Sequence, residues 1–235
     1  MKTLRAKALI FDMDGTLIDN MRFHQNAWGA WFKAQGLPFD DAAFFKATAG
    51  RHNDEILALY FPAMPASEYP AMVASKERMY QILYAPHKAV VAGLIPFLDA
   101  AKAAGIPCAV GTAAPQMNID FILEPMGLAH YFQAVVNPSA TIRGKPYPDI
   151  FVEAARQLRV APVDCVVFED APMGLQAAHS GGMKSIALTT HLSASEFAAQ
   201  APAHVMADYT QIEITRTMTD AGASLGTHFE LRFHA

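Results

Sequence analysis

Short apolar runs alternate along this chain with longer stretches in which apolar residues recur at helical spacing. Two of the runs, Ala8-Leu9-Ile10-Phe11 and Val166-Val167-Phe168, are apolar throughout. Parallel strands that are buried on both faces have this composition. Polar or glycine-containing turns end the runs, as is typical of βα units around a parallel sheet. The pattern therefore predicts an α/β fold.

Six strands and four core helices can be placed from these runs. The strands are expected near residues 6–11, 107–111, 134–137, 165–168, 185–188 and 205–207. The helices are expected near residues 93–104, 117–126, 148–158 and 174–180. Together they predict a sheet with helices packed against it.

Residues 20–90 break this alternation, since they show helical periodicity and no convincing strand. Trp28, Trp31 and Phe32 follow helical spacing there and are expected to form the segment's own core. We predict a core domain of residues 1–19 and 91–218, with residues 20–90 inserted as a helical domain. Residues 219–235 form a tail of unassigned role, whose alternation over 228–233 suits either an edge strand or an appended remnant.

Composition narrows the class of protein. A chain of 235 residues with 52% hydrophobic content can bury a large core, and its formal net charge of -4 comes with no cluster of lysine or arginine. We therefore expect a small-molecule partner, no nucleic acid and no membrane. Cys108 and Cys165 lie in apolar runs and are expected to be buried thiols. The start of the chain resembles no signal peptide, so we expect a cytoplasmic protein. We expect it to be a monomer or a weak dimer.

Polar residues directly after the strand runs are the candidates for chemistry, because ligands of open α/β sheets bind at the carboxyl ends of the strands. If the strands are neighbours, these residues converge at one edge of the sheet. They are Asp12 and Asp14 after the first run, Thr112 and Ala113 after the second, Lys145 after the third, and Glu169 and Asp170 after the fourth.

An acid-rich site of this kind suits Mg²⁺, with Asp12 and Asp170 as the first candidate ligands. The Asp12 carboxylate can also attack phosphorus, and Asp14 can act as general acid and then as base. Thr112 and Lys145 can stabilise the oxygens of a transferring phosphoryl group. Each residue alone also has an ordinary interpretation as a turn, a helix cap or a surface charge. Their order after successive strands favours the catalytic interpretation.

The chain resembles the haloacid dehalogenase superfamily, in the subgroup of β-phosphoglucomutase and related sugar-phosphate phosphatases. The resemblance covers nearly the whole chain and implies a Rossmann-like core, a helical cap and Mg²⁺ bound by Asp12, Asp170, Glu169 and the backbone carbonyl of Asp14. It is carried by Asp12-Met13-Asp14-Gly15-Thr16, by Thr112, by Lys145 in Gly-Lys-Pro-Tyr-Pro-Asp-Ile-Phe, and by Phe168-Glu169-Asp170-Ala171-Pro172-Met173-Gly174.

The predicted cap offers candidate residues for substrate binding. Asn20 and His24 share a helix face at its start, and the resemblance implies that His24 assists the general acid. Lys76 resembles a cap lysine of the mutases, and Ala113 belongs to the second motif. Arg51 directly follows Gly50, whereas the mutase arginine lies three residues after the cap glycine. Glycine followed by arginine is more similar to several phosphatases of the subgroup.

The sequence therefore predicts a Mg²⁺-dependent phosphatase that hydrolyses a small phosphate ester, most simply a sugar phosphate, through an aspartyl phosphate. A β-phosphoglucomutase-type hexose-phosphate mutase and a pyrophosphatase on the same scaffold stay open as alternatives, and a non-catalytic sugar-phosphate sensor is a remote one. A dehalogenase is disfavoured, because the resemblance implies that enzymes that cleave carbon–halogen bonds lack an acid at the position of Asp14.

Overall fold

A six-stranded parallel sheet forms the centre of the protein. The computed structural model describes residues 2–48, 51, 53–139, 141–216 and 229–234. The strand order is β4-β3-β2-β5-β6-β7. The strands are β2 (Ala8–Phe11), β3 (Cys108–Gly111), β4 (Ala134–Val136), β5 (Cys165–Glu169), β6 (Lys184–Leu188) and β7 (His204–Met206).

Helices cover both faces of this sheet, which buries the central strands completely. One apolar cluster includes Phe11 and Phe168, whose rings stack with centroids 4.7 Å apart. The cluster on the other face includes Ile10 and Val167. The flanking helices are α5 (Leu94–Ala103), α6 (Gln116–Ile122), α7 (Asp149–Gln157) and α8 (Pro172–Ser180). The predicted α/β class is thereby confirmed. Cys108 and Cys165 are buried and form no disulfide, as their apolar surroundings predict.

A second, three-stranded antiparallel sheet joins distant parts of the chain. It consists of β1 (Lys2–Ala6), β8 (Ile212–Arg216) and β9 (Phe229–Phe233), with β9 in the middle. Every second residue of β9 is buried, including Leu231, which is 0% exposed. The alternation in the tail thus corresponds to a central strand and not to an edge strand. The first strand predicted at residues 6–11 corresponds to β2, and Ala6 belongs instead to β1, a separate strand that was not predicted.

Four of the described α-helices lie between β2 and α5 in the chain, and we call the segment that contains them the helical insertion. They are α1 (Met21–Ala34), α2 (Asp41–Thr48), α3 (Asn53–Tyr60) and α4 (Tyr69–Tyr84). Trp28, Trp31 and Phe32 form the centre of their apolar cluster, as helical spacing predicts. Polar contacts connect α4 to α6 of the main sheet layer, because Gln81 Nε2 donates to the Met117 carbonyl at 3.1 Å. The insertion therefore rests on the carboxyl ends of the strands.

Candidate active site

The register of the central strands brings the predicted acidic residues together. Phe11 of β2 is paired with Phe168 of β5 on one side and with Val110 of β3 on the other. The ladder continues past the strand end, since the Asp12 amide donates to the Phe168 carbonyl at 3.0 Å. Asp12 therefore lies between the ends of β5 and β3.

Lys145 joins the acidic residues from the loop after β4. Its Nζ donates to Asp12 Oδ1 at 2.5 Å and to Glu169 Oε1 at 2.6 Å. All three side chains are almost fully buried. Burial alone would lower the pKa of Lys145, but the two carboxylates raise it. Lys145 is thus a fixed positive charge beside Asp12.

The carboxylates of Asp12, Glu169 and Asp170 form a cluster suited to a metal ion. One oxygen from each lies within 4.8 Å of the others. Burial raises the pKa of Asp12 well above its ordinary value, although Lys145 opposes the rise, and the pKa of Glu169 is raised for the same reasons. Three buried carboxylates against one ammonium leave an excess of negative charge, which a divalent cation would compensate. The donor set therefore fits a hard divalent ion.

Close packing around the cluster requires glycine at two positions. Gly15 has φ +74°, and a Cβ there would overlap Asp170 Oδ2. A Cβ at Gly174, in the first turn of α8, would overlap the Glu169 carboxylate.

His191 Nδ1 lies 3.0 Å from Asp170 Oδ2. Burial alone would lower the pKa of His191, but the hydrogen bond and charge of Asp170 raise it.

Asp14 lies outside this cluster and is held by residues of the helical insertion. Its Oδ1 accepts from Asn20 Nδ2 at 2.6 Å and lies 3.6 Å from His24 Nε2. Asn20 also donates to the Tyr80 hydroxyl at 2.6 Å, and its Oδ1 accepts from the Gly15 amide at 3.0 Å. The side chain of Asp14 is 19% exposed, so it is positioned but still accessible from the cleft.

A second buried charge cluster lies on the insertion side of the cleft, centred on Glu77 of α4. Lys76 Nζ lies 2.7 Å from Glu77 Oε1, and Asn53 Nδ2 donates to the same oxygen at 2.7 Å. Asn118 of α6 donates to Glu77 Oε2 at 2.8 Å. Burial alone would raise the pKa of Glu77, but Lys76, His24 and the hydrogen bonds lower it to about 2. Glu77 therefore carries a full negative charge.

These groups line one cleft of about 830 Å³, measured with its open mouth. Most predicted site residues contribute to its wall, namely Asp12, Asp14, His24, Arg51, Lys76, Thr112, Ala113, Lys145, Glu169 and Asp170. Asn20, predicted to bind substrate, is 0% exposed and is not among the described residues that line the cleft, because its amide is used to hold Asp14 and Tyr80. Gly50 falls outside the described residues.

Sequence reasoning missed several residues of the site. Glu77 and Asn118 line the cleft, and His191 contacts the acidic cluster. Glu77 follows Lys76 on an amphipathic helix, and such a lysine–glutamate pair is usually exposed to solvent, which is why Glu77 was missed. The signal that could have found it is its place one residue after a lysine already assigned to the site.

Comparison with known proteins identifies the family. Residues 6–182 match the model of the haloacid dehalogenase-like hydrolases. The chain belongs to this family, as the four motifs predict. It is therefore an enzyme of the type that includes phosphatases and phosphomutases.

Individual relatives agree with this assignment. The chain is 34% identical to the fructose-1-phosphate phosphatase YqaB of Escherichia coli over 184 residues, which cover 77% of this chain and 96% of YqaB. It is 31% identical to the β-phosphoglucomutase of Bacillus subtilis over 187 residues, which cover 77% of this chain and 82% of the mutase. Among solved structures, CbbY from Rhodobacter sphaeroides in complex with xylulose-(1,5)bisphosphate superposes with a TM-score of 0.73 at 25% identity, covering 87% and 95%.

Within the described residues, every helix is too short or too polar to traverse a bilayer.

Proposed function

We propose that this enzyme is a Mg²⁺-dependent phosphatase that hydrolyses a small sugar phosphate through an aspartyl phosphate on Asp12. The observation that carries the proposal is that one strand end presents two carboxylates, those of Asp12 and Asp14, in different surroundings. Asp12 is buried beside Lys145 in the metal-binding cluster, whereas Asp14 is held outside it by Asn20. Such a division fits one nucleophile and one acid–base group.

The metal would be bound by the side chains of Asp12, Glu169 and Asp170, with the backbone carbonyl of Asp14 as a further ligand. When bound, Mg²⁺ would supply positive charge that offsets the carboxylates and the phosphate oxygens. The cluster of three buried carboxylates supports this choice, because oxygen ligands are those that Mg²⁺ prefers.

In the first chemical step an Asp12 carboxylate oxygen attacks the phosphorus atom of the substrate. The new bond forms as the phosphorus–ester oxygen bond breaks, and the electron pair of that bond goes to the leaving oxygen. Asp14, protonated, gives its proton to this oxygen, so that the sugar leaves as an alcohol. Lys145 and the Thr112 hydroxyl stabilise the phosphoryl oxygens during transfer.

In the second step water attacks the phosphorus atom of the aspartyl phosphate. Asp14, now a carboxylate, takes a proton from the water. The bond between phosphorus and the Asp12 oxygen breaks, which restores the Asp12 carboxylate and releases inorganic phosphate. The sum is one ester and one water converted to one alcohol and one phosphate.

The mutase alternative keeps the same first step but returns the phosphoryl group to a sugar hydroxyl. The contact between His24 Nδ1 and Lys76 Nζ at 3.2 Å favours it, since both residues match the mutase pattern. The position of Arg51 directly after Gly50 favours the phosphatase, as does the similarity to YqaB.

The test is product analysis with a panel of substrates in the presence of Mg²⁺. Fructose 1-phosphate, pyrophosphate and β-glucose 1-phosphate with a trace of glucose 1,6-bisphosphate are incubated with the enzyme. We expect inorganic phosphate from fructose 1-phosphate or another sugar phosphate. Accumulation of glucose 6-phosphate without phosphate release would replace the proposal with the mutase, and hydrolysis of pyrophosphate alone would replace it with a pyrophosphatase.

A further inference from the structure

Glu77 is a buried carboxylate in the cleft wall that the phosphoryl-transfer steps do not use. Its side chain is 1% exposed, although it belongs to the lining of the cleft. Oε1 accepts hydrogen bonds from Lys76 and Asn53, and Oε2 accepts one from Asn118. Both oxygens are therefore already occupied by protein donors.

The partner that matters most is Lys76, because Glu77 cancels its charge. The Lys76 side chain is 2% exposed, and its ammonium lies 2.7 Å from Glu77 and 5.0 Å from the centre of the Trp28 ring. In such an environment the ion pair is strong and behaves as a neutral dipole toward a ligand. An anion placed beside Lys76 would meet the negative charge of Glu77 as well.

The charges of the cleft are thus divided unequally between its two sides. At the strand ends, Lys145 and the metal cluster can accept one phosphate. On the insertion side, the described cations that line the cleft are Lys76, which is paired, and Arg51, which is exposed and donates through Nε to the Ala47 carbonyl at 3.0 Å. The His24 imidazole also lines the cleft there and lies 3.6 Å from Asp14 Oδ1. Apart from it, that side offers one net positive charge among polar and aromatic groups, which suits the hydroxyl groups of a sugar better than a second phosphate.

We propose that Glu77 is a specificity-determining residue, which pairs with Lys76 so that the cleft favours sugar monophosphates over sugar bisphosphates. This inference rests on the proposed phosphatase function and adds the substrate class. Because the pair is neutral, a second phosphate dianion would lose its hydration there without gaining a net positive charge, whereas uncharged hydroxyls need no such charge. The discrimination therefore comes from the attraction of Lys76 that Glu77 removes.

The test compares fructose 1-phosphate with fructose 1,6-bisphosphate, which share the reacting phosphate. Turnover of both is measured for the wild type and for the variants Glu77→Gln, Lys76→Gln and the double variant. Binding of both is measured by titration calorimetry with Mg²⁺ in an Asp12→Asn background, which does not depend on turnover. Glu68→Gln is the control, because it removes one negative charge at an exposed position of the helical insertion.

The wild type should prefer the monophosphate. Glu77→Gln should shift the ratio of the two dissociation constants at least tenfold toward the bisphosphate, and Lys76→Gln should shift it toward the monophosphate. The double variant should return close to the wild-type ratio. Loss of structure alone would change the ratio of the dissociation constants in the same direction in both single variants. Should Glu77→Gln fail to fold, the Lys76→Gln and double variants still carry the comparison, since removing both charges leaves no unpaired ion.

Several results would overturn the inference. These are an unchanged ratio in Glu77→Gln, a shift of both single variants in one direction, an equal shift in Glu68→Gln, or no binding of either compound. Failure of the phosphatase proposal has a different signature. The binding ratios would then shift as expected while no phosphate was released from either compound.

Discussion

Replacing Glu77 with glutamine should destabilise the folded protein in a way that depends on pH. Burial alone would raise the pKa of this carboxyl above 4.5, but Lys76, His24 and two hydrogen bonds lower it to about 2. A pKa that is lower in the folded state adds stability above the unfolded pKa, and this stability is lost as pH falls through the folded pKa. At about 1.4 kcal/mol per pKa unit, the shift corresponds to about 3 kcal/mol at neutral pH.

Urea unfolding of the wild type and Glu77→Gln from pH 7 to pH 3 measures this contribution. The difference in the free energy of unfolding should be about 3 kcal/mol at pH 7, and it should shrink by about 1 kcal/mol at pH 4 and about 2 kcal/mol at pH 3. The control is Glu153→Gln, because the Glu153 carboxylate forms an ion pair with Arg156 on the surface at 2.6 Å. Solvent screens such a pair, so its loss should change stability little. A Glu77→Gln difference that stayed constant over this range would refute the reasoning.

Three further predictions concern the site and the second sheet. Gly174→Ala should lower kcat at least tenfold, because the added Cβ would displace the Glu169 carboxylate. Gly181→Ala is the control and should leave kcat unchanged, since the nearest atoms to its added Cβ lie at 3.4 Å. Equal kcat values for the two variants would contradict this packing. Leu231→Ala should cost about 2–5 kcal/mol in urea unfolding, because Leu231 is fully buried in β9, whereas the outward-facing Arg232→Ala should cost far less. Chelation with EDTA should abolish phosphate release and lower the melting temperature, and added Mg²⁺ should restore both; indifference to EDTA would exclude the metal.

The main sheet follows closely from the sequence, because parallel strands covered on both faces must be apolar along their whole length. The strands β3 to β7 lie within one residue of the predicted bounds. The residues after β2, β3 and β5 could be assigned to one site for the same reason, since strand ends of a parallel sheet share one edge.

The second sheet was not predictable in this way. Lys2 of β1 is paired with Phe233 of β9, and Ile212 of β8 is paired with the same residue. Lys2 and Phe233 are separated by most of the chain, and β1 contains three polar residues, Lys2, Thr3 and Arg5, and no apolar run. Local patterns give no information on pairing at such separation.

The insertion side of the cleft also depends on tertiary structure. Glu77 is enclosed by elements on both sides of α4, since Asn53 of α3 and Asn118 of α6 both donate to its carboxylate. His191 reaches Asp170 from the loop after β6. Glu77 follows no strand end, and His191 lies three residues beyond the end of β6 but belongs to none of the four motifs, so the motifs assigned neither residue to the site.

The central claim is that Asp12 accepts the phosphoryl group, and phosphate release by Asp12→Asn tests it most directly. The substitution keeps the size of the side chain but removes the nucleophilic carboxylate. Asp19→Asn is the matched control, because Asp19 is exposed and lies in the same segment. With the preferred sugar phosphate and Mg²⁺, Asp12→Asn should show no turnover while keeping the folded circular dichroism spectrum, and Asp19→Asn should be as active as the wild type. Substantial phosphate release by folded Asp12→Asn would contradict the claim.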